Sequence, residues 1–148
     1  MRILVCGGRD YGVIPENVKP TAPIYGWWKR RVYRERAALY DCLYRISPKT
    51  EECPHGNWMP HNVTIIHGGA KGADQIGEDW AISNWQSILV FPADWSTHGK
   101  KAGVLRNTEM LREGKPDVVV AAKGGKGTGH MISIAKKAKV RVIRVWVM

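Results

Sequence analysis

The sequence predicts an α/β fold: a Rossmann-like parallel sheet of about five strands with helices on both faces, in a single domain over 1–148. Three observations predict it. Short β-branched and apolar runs alternate with helical stretches of about ten to twenty residues, the pattern of βαβ units and hence of parallel strands. Glycine-rich turns stand where strands give way to helices. The length of 148 residues is that of one ordinary domain, in which folding buries roughly 68 to 70% of the unfolded chain's surface.

Residues 2–6 (RILVC) form an apolar run ended by Gly7-Gly8, which reads as a buried strand and a tight turn. Residues 11–26 carry Pro15, Pro20 and Pro23 without a period and read as a loop. From 28 to 46, Val32, Leu39, Leu43 and Ile46 recur at helical spacing, with Lys29, Arg30, Arg31, Arg34 and Arg36 crowding the first half. Cations at a helix start oppose its dipole. Residues 47–62 are polar, with three prolines, and read as a second, long loop. A strand at 63–66, a glycine loop at 68–72 and a helix over 73–84 follow, with Ala73, Ile76, Gly77 and Trp80 sharing one helix face. The third strand is expected at 88–91 and a helix at 102–113, stopped by Gly114 and Pro116. A strand at 118–121, a glycine loop at 123–129, a helix at 130–138 and a strand at 140–147 complete the pattern.

Composition narrows the function classes. Hydrophobic residues make up 44% and charged residues 24%, a globular balance. The apolar run at 118–122 falls far short of the ~20 residues of a spanning helix. The first eight residues lead directly into a strand and glycines without a signal-peptide pattern, so the expected compartment is cytoplasmic and no membrane partner is expected. Three widely spaced cysteines, Cys6, Cys42 and Cys53, argue for reduced thiols rather than a disulfide framework. The net charge of +10 favours anionic partners, whether nucleotide, nucleic acid or lipid.

In a parallel α/β sheet all strand-to-helix loops emerge at one edge, where ligands bind. Here they are Gly7-Gly8-Arg9-Asp10, His67-Gly68-Gly69-Ala70-Lys71-Gly72-Ala73-Asp74, Pro92-Ala93-Asp94-Trp95 and Lys123-Gly124-Gly125-Lys126-Gly127-Thr128-Gly129. Glycine lets backbone approach a phosphate, and the following helix aims N–H groups and its positive dipole end at the anion. One such loop alone is equally well a simple turn; three in these positions argue for an anion site. No stretch reads G-x-x-x-x-G-K-[ST], and the first loop does not continue as G-x-G-x-x-G, so neither an ATPase P-loop nor an ordinary dinucleotide fingerprint is present.

Arg9 and Arg106 are the cations suited to phosphate, because guanidinium presents a bidentate fork. Lys71 and Lys126 sit inside glycine loops as point charges for the same anion, or point to water. Thr128 either caps a helix or lends its hydroxyl to a phosphate. Asp74 either complements its helix dipole or binds a ribose hydroxyl.

The run from Val5 to Tyr11, the loop from His67 to Asp74, Phe91-Pro92-Ala93-Asp94-Trp95, Arg106-Asn107 with Met110-Leu111, and Gly124-Gly125-Lys126-Gly127-Thr128 together resemble the YspA-like (cpYpsA-related) branch of the SLOG superfamily. The resemblance covers 1–11 and about 63–145, leaving 12–62 as an atypical insertion. It implies a Rossmann-like sensor or processing domain for nucleotides and nucleotide-derived ligands, ADP-ribose-type molecules among them. The site it implies comprises Gly7, Gly8, Arg9, Asp10, Gly68, Gly69, Lys71, Asp74, Asp94, Arg106, Asn107, Gly124, Gly125, Lys126, Gly127 and Thr128, with no cofactor and no metal. The superfamily's phosphoribohydrolases resemble P-G-G-x-G-T-x-x-E with a catalytic glutamate; here Lys123 replaces the proline and Met131 the glutamate. Met131 cannot exchange a proton, so that chemistry does not carry over, and the catalytic residue of any other hydrolysis is unknown among Asp10, Asp74, Glu78, Asp94 and Glu109.

Two further groups compete with bland readings. Cys42, Cys53, His55 and His61 lack the close cysteine pairs of common zinc modules and read better as loop residues. Tyr25, Trp27, Trp28 and Tyr33 interleave with the basic run 29–36, an arrangement that stacks single-stranded nucleic acid or closes over an adenine ring. Its structural alternative is packing on the domain or on a second copy in a homo-oligomer. Three functions follow: a sensor or sequestering protein that binds a nucleotide-derived small molecule, a hydrolase of a nucleotide N-glycosidic or phosphate bond, and, as second choice of partner, a nucleic-acid-binding module.

Overall fold

A computed structural model describes residues 1–49 and 59–147. In chain order the elements are β1 (Arg2–Cys6), α1 (Tyr25–Ile46), β2 (Thr64–His67), α2 (Ala73–Ser83), β3 (Ser87–Val90) and α3 (Trp95–His98). A 3₁₀ turn (Gly99–Lys101), α4 (Ala102–Gly114), β4 (Val118–Ala121), α5 (Lys126–Lys137) and β5 (Arg141–Arg144) follow. The strands form one sheet in the order β3-β2-β1-β4-β5, every neighbouring pair parallel. This is the expected Rossmann-like α/β architecture.

Alternation along β1 explains the two layers of core. Ile3 and Val5 face one side, with Leu39 and Leu43 of α1 and Ala73, Ile76 and Trp80 of α2. Leu4 and Cys6 face the other, with Met110 of α4 and Met131 and Ala135 of α5. Period 2 in the strand and period 3.6 in the helices thus bury complementary stripes on both faces of the sheet. Gly77, inside α2, packs against Val5, whose side-chain atoms would lie 3.1 to 3.2 Å from an added Cβ, so the helix rides close to the sheet.

Most boundaries fall within one residue of the sequence reading; three differ by more, and one helix was not expected. Helix α1 starts at Tyr25 rather than 28, wound in by the Trp27 and Trp28 N–H groups donating to the Ile24 carbonyl. Helix α5 starts at Lys126 rather than 130, so part of the expected glycine loop is helical. Glycine weakens helices by itself, but here the Gly129 N–H donates to Gly125 O at 3.0 Å and Asn107 Nδ2 donates to Gly127 O at 3.0 Å. Helix α3 arises where only a loop was expected, because the Asp94 carboxylate accepts from the Thr97 N–H at 3.0 Å and the Ser96 hydroxyl at 2.7 Å. The last strand ends at Arg144, short of 147. Within the expected loop at 47–62, Lys49 and Pro60 form an antiparallel bridge.

Candidate functional site

The sheet order reverses between β1 and β4, because the chain leaves β1 toward β2 and β3 and returns across the other face to β4. In open α/β sheets the crevice beyond the carboxyl ends of such neighbours is where ligands bind. A cleft of about 290 Å³ lies there. The β1 loop supplies Gly7, Gly8 and Arg9; α2 supplies Asp74; α4 supplies Arg106 and Asn107; and the start of α5 supplies Gly125, Gly127 and Thr128. Nine of the sequence-named residues therefore meet at one place.

Close packing of backbone brings these loops together. Gly8 N–H donates to Lys123 O at 2.9 Å, joining the loops after β1 and β4, and the Ala73 N–H donates to Gly8 O at 3.3 Å. A Cβ at Gly7 would lie 2.5 Å from the Ala73 Cβ, and one at Gly124 would lie 2.7 Å from Gly8 N. Gly72 combines a φ of +81° with contact against Gly8 O, so only glycine fits that turn.

Arg106 is the half-buried cation of the cleft. Its Nη1 donates to Gly68 O at 2.7 Å and its Nε to Asn107 Oδ1 at 3.2 Å. Its Nη2 has no hydrogen-bond partner among the described residues, which leaves a guanidinium donor available. Burial lowers its pKa, offset by the nearby Asp74 carboxylate. Asp74 is buried, and its Oδ2 accepts from the N–H groups of Gly68 and Ala70 at 3.0 and 3.2 Å. Burial raises its pKa against the opposing pull of those N–H groups, His67 and Arg106. Asn107 holds Arg106 on one side and the first turn of α5 on the other, so it positions both.

Helix α5 opens without a side-chain cap and without an acidic residue in its first turn. The N–H groups of Lys126, Gly127 and Thr128 have no acceptor among the described residues, and a Cβ at Gly125, Gly127 or Gly129 would meet nothing within 4 Å. The result is an exposed helix N-terminus with space in front of it, the arrangement that receives anions. Arg9 is exposed at the mouth, with its guanidinium 5.6 Å from the Trp95 ring centre.

The remaining named residues lie elsewhere. Gly68 is under the Arg106 guanidinium, and Gly69 turns with a φ of +72°, its N–H donating to His67 Nδ1 at 3.0 Å. Lys71 turns away to Glu16 at 3.3 Å, Asp94 caps α3, and Lys126 is exposed on the first turn of α5. Hydrogen bonds from Ser96 and Thr97 lower the Asp94 pKa to about 2. Asp10 and Gly124 border a neighbouring recess of about 300 Å³, and Asp10 stands 4.0 Å from Arg31. The cleft also includes Cys6, Ala70, Trp95, Gly103 and Met110, which were not named as site residues from sequence. Gly103, Arg106, Asn107 and Met110 follow i, i+3, i+4, i+7 spacing, so the helical stripe carrying Arg106 was the available signal. The Cys6 thiol is pushed up to about 12, mainly by burial and further by Asp74, so it stays protonated at neutral pH.

Met131, in the position of the hydrolase glutamate, is fully buried in the core between α5 and the sheet. Of the zinc alternative, Cys53 and His55 lie outside the described residues, Cys42 is half-buried and His61 exposed. Among the described residues no group of three or more His, Cys, Asp or Glu is placed to hold a metal ion. No described helix is long and apolar enough to cross a membrane.

Fold and site together define a doubly wound α/β protein with a cationic, glycine-walled cleft at its topological switch point. The model of the YspA, cpYpsA-related SLOG family matches residues 54–98. A curated relative, the Gene 61 protein of Mycobacterium phage D29, is 41% identical over 120 residues, covering 76% of this chain and 88% of that protein. The chain belongs to the YspA, cpYpsA-related SLOG family. No solved structure matches it.

Proposed function

We propose that the chain binds a nucleotide or nucleotide-derived small molecule of the ADP-ribose type and holds it as a sensor or sequestering protein. The observation that carries this reading is that the open N-terminus of α5 lines the same cleft as Arg106, whose Nη2 has no hydrogen-bond partner among the described residues. Phosphate oxygens satisfy both, through backbone N–H groups and a charge-assisted guanidinium bond. Arg9 adds a second, exposed guanidinium to the same cleft, and family membership supports a nucleotide-derived ligand. A buried methionine at 131 and a protonated Cys6 thiol favour binding over turnover. One observation favours hydrolysis instead: Asp74 is a carboxylate in the cleft wall with a raised pKa, a property of general acids.

The test is to denature purified protein, identify any released small molecule by mass spectrometry, and follow thermal unfolding with nucleotides, ADP-ribose and cyclic ADP-ribose isomers. A ligand at ~100 times its Kd adds roughly 2.7 kcal/mol, which moves the midpoint by several degrees. Stabilisation of the native chain but not of Arg9→Ala or Gly125→Asp supports the reading. Recovery of a cleaved ligand transfers it to hydrolysis, and absence of both release and shift overturns it.

A further inference from the structure

A second surface, away from the cleft, gathers three arginines without ion-pair partners into one groove. Outside it, Arg31 pairs with Glu35, Arg36 with Asp79 and Arg112 with Glu113, and the unpaired Arg9 and Arg106 belong to the cleft. Among the described residues Arg34, Arg141 and Arg144 have no carboxylate within ion-pair distance, and all three line one groove of about 670 Å³ between α1 and β5. Arg45 lines it too, paired with its sole acid, Asp41. On this face α2 covers β1 and β2 with α1 beside it, and the groove opens where α1 faces Ile143 and Val145. Two aromatic rings stand in it, Tyr33 at 75% and Trp146 at 74% exposure.

The basic aromatic segment at the start of α1 is largely satisfied within itself. Trp27 and Trp28 pack edge to face at 4.9 Å, Arg31 covers Trp28 at 4.8 Å, and Lys29 lies 5.9 Å from the Tyr25 ring centre. Tyr33 and Arg34 lie further along α1, Arg141 and Arg144 across on β5, and Trp146 just beyond its end. Unpaired cations interleaved with exposed rings in a groove are what a single strand uses, its phosphates on arginine and its bases on aromatic faces. A symmetric second copy would bring the same arginines against themselves, and like charges at an interface are repulsive.

We propose that the groove between α1 and β5 binds single-stranded nucleic acid, with Arg34, Arg141 and Arg144 on phosphates and Tyr33 and Trp146 stacking bases. The test is fluorescence anisotropy with labelled oligothymidylate and oligouridylate of about 12 nucleotides, within the roughly 4–16 nucleotides that single-strand-binding folds cover. The variants are Arg34→Ala/Arg141→Ala, Trp146→Ala, and a control, Lys136→Ala/Lys137→Ala, on α5 outside the groove. The groove side chains replaced are exposed, so folding is not at stake.

The double arginine variant loses tenfold or more in affinity, and its log K against log salt slope shrinks by about 1.4, at ~0.7 per phosphate contact removed. Trp146→Ala loses roughly fivefold or more, the worth of one stacked base. The tighter of the two probes identifies DNA or RNA as the strand. The proposal is overturned if the control loses as much as the groove variants, or if duplex of equal length binds as tightly as single strand. Loss of oligonucleotide binding in Arg9→Ala or Gly125→Asp would place the strand in the cleft instead. Binding only to anionic phosphatidylserine vesicles, or dimerisation strengthened by removing the arginines, would assign the groove to another occupant.

Discussion

The loops from β2 into α2 and from β4 into α5 look alike in sequence, His67-Gly68-Gly69-Ala70-Lys71-Gly72 and Lys123-Gly124-Gly125-Lys126-Gly127. They are built to opposite ends. The first supplies its own anion: Asp74 sits in the opening turn of α2 and takes two backbone N–H groups, while His67 takes a third. Its glycines are held by neighbours, Gly68 under Arg106 and Gly72 against Gly8. The second has no acid and no cap, opens with Lys126, and leaves its glycines at 125, 127 and 129 facing empty space. A glycine whose Cβ would collide is there for packing, and one whose Cβ would meet nothing leaves room for something else. The composition of a glycine loop cannot distinguish these cases; the acid in the following helix turn can.

The sharpest way to break this comparison is to add one carbon to each loop. Gly72→Ala combines a positive φ with overlap on Gly8 O, and it should cost about 3 kcal/mol in urea unfolding. A loss below about 0.5 kcal/mol, the range of ordinary surface substitutions, would show that the first loop is not packed as described. Gly125→Asp should do the reverse. Its φ of −95° suits any residue, and an aspartate at the N-cap should add a few tenths of a kcal/mol to stability. The same carboxylate occupies the place proposed for phosphate, so ligand affinity measured by calorimetry should fall about 100-fold through like-charge repulsion. A variant that is both more stable and unable to bind is an outcome that simple unfolding cannot mimic. Asp74→Ala comes third, leaving the N–H groups of Gly68 and Ala70 without their acceptor and costing about 2 kcal/mol. Unchanged stability there would deny the first loop its internal anion.

The parts of the fold that rest on local pattern were legible in the sequence. Runs such as 118–121 and the α2 face of Ala73, Ile76, Gly77 and Trp80 appear in the structure as read. The errors cluster where tertiary contacts outweigh propensity. Gly127 and Gly129 argued for loop, yet Asn107 and the Gly125 carbonyl hold them in α5. Asp94, in the site that the resemblance implies, also starts α3 by accepting from Ser96 and Thr97, a helix that the sequence reading left as loop. Lys71 shares a loop with cleft residues but points to Glu16, since position in a loop does not fix where a long side chain goes. Of the groove beside β5 only the α1 side was legible, Tyr33 and Arg34 within the basic aromatic run. It depends on Arg34 of α1 and Arg141 of β5 being brought together across more than half the chain.

The smallest effect expected is a pH dependence belonging to the first loop alone. His67 is fully buried and its Nδ1 accepts the Gly69 N–H, so the ring is neutral, and burial holds its pKa below the ordinary 6.5 despite the pull of Asp74 and Glu78. In the window between that lowered value and 6.5 the unfolded chain binds the extra proton, so stability rises with pH and is lost as pH falls. Asp74 acts in the opposite sense above its ordinary 3.8, since its raised pKa makes the folded form the better proton binder there. His67→Gln keeps an oxygen for the Gly69 N–H and removes the titration, so its urea-unfolding free energy should change less between pH 7 and pH 5 than that of the native chain. Identical slopes would mean that His67 is not held neutral by the loop. The second loop has no fully buried counterpart, since its nearest imidazole, His130, is half-buried in α5 and meets the Asn107 amide at 3.3 Å.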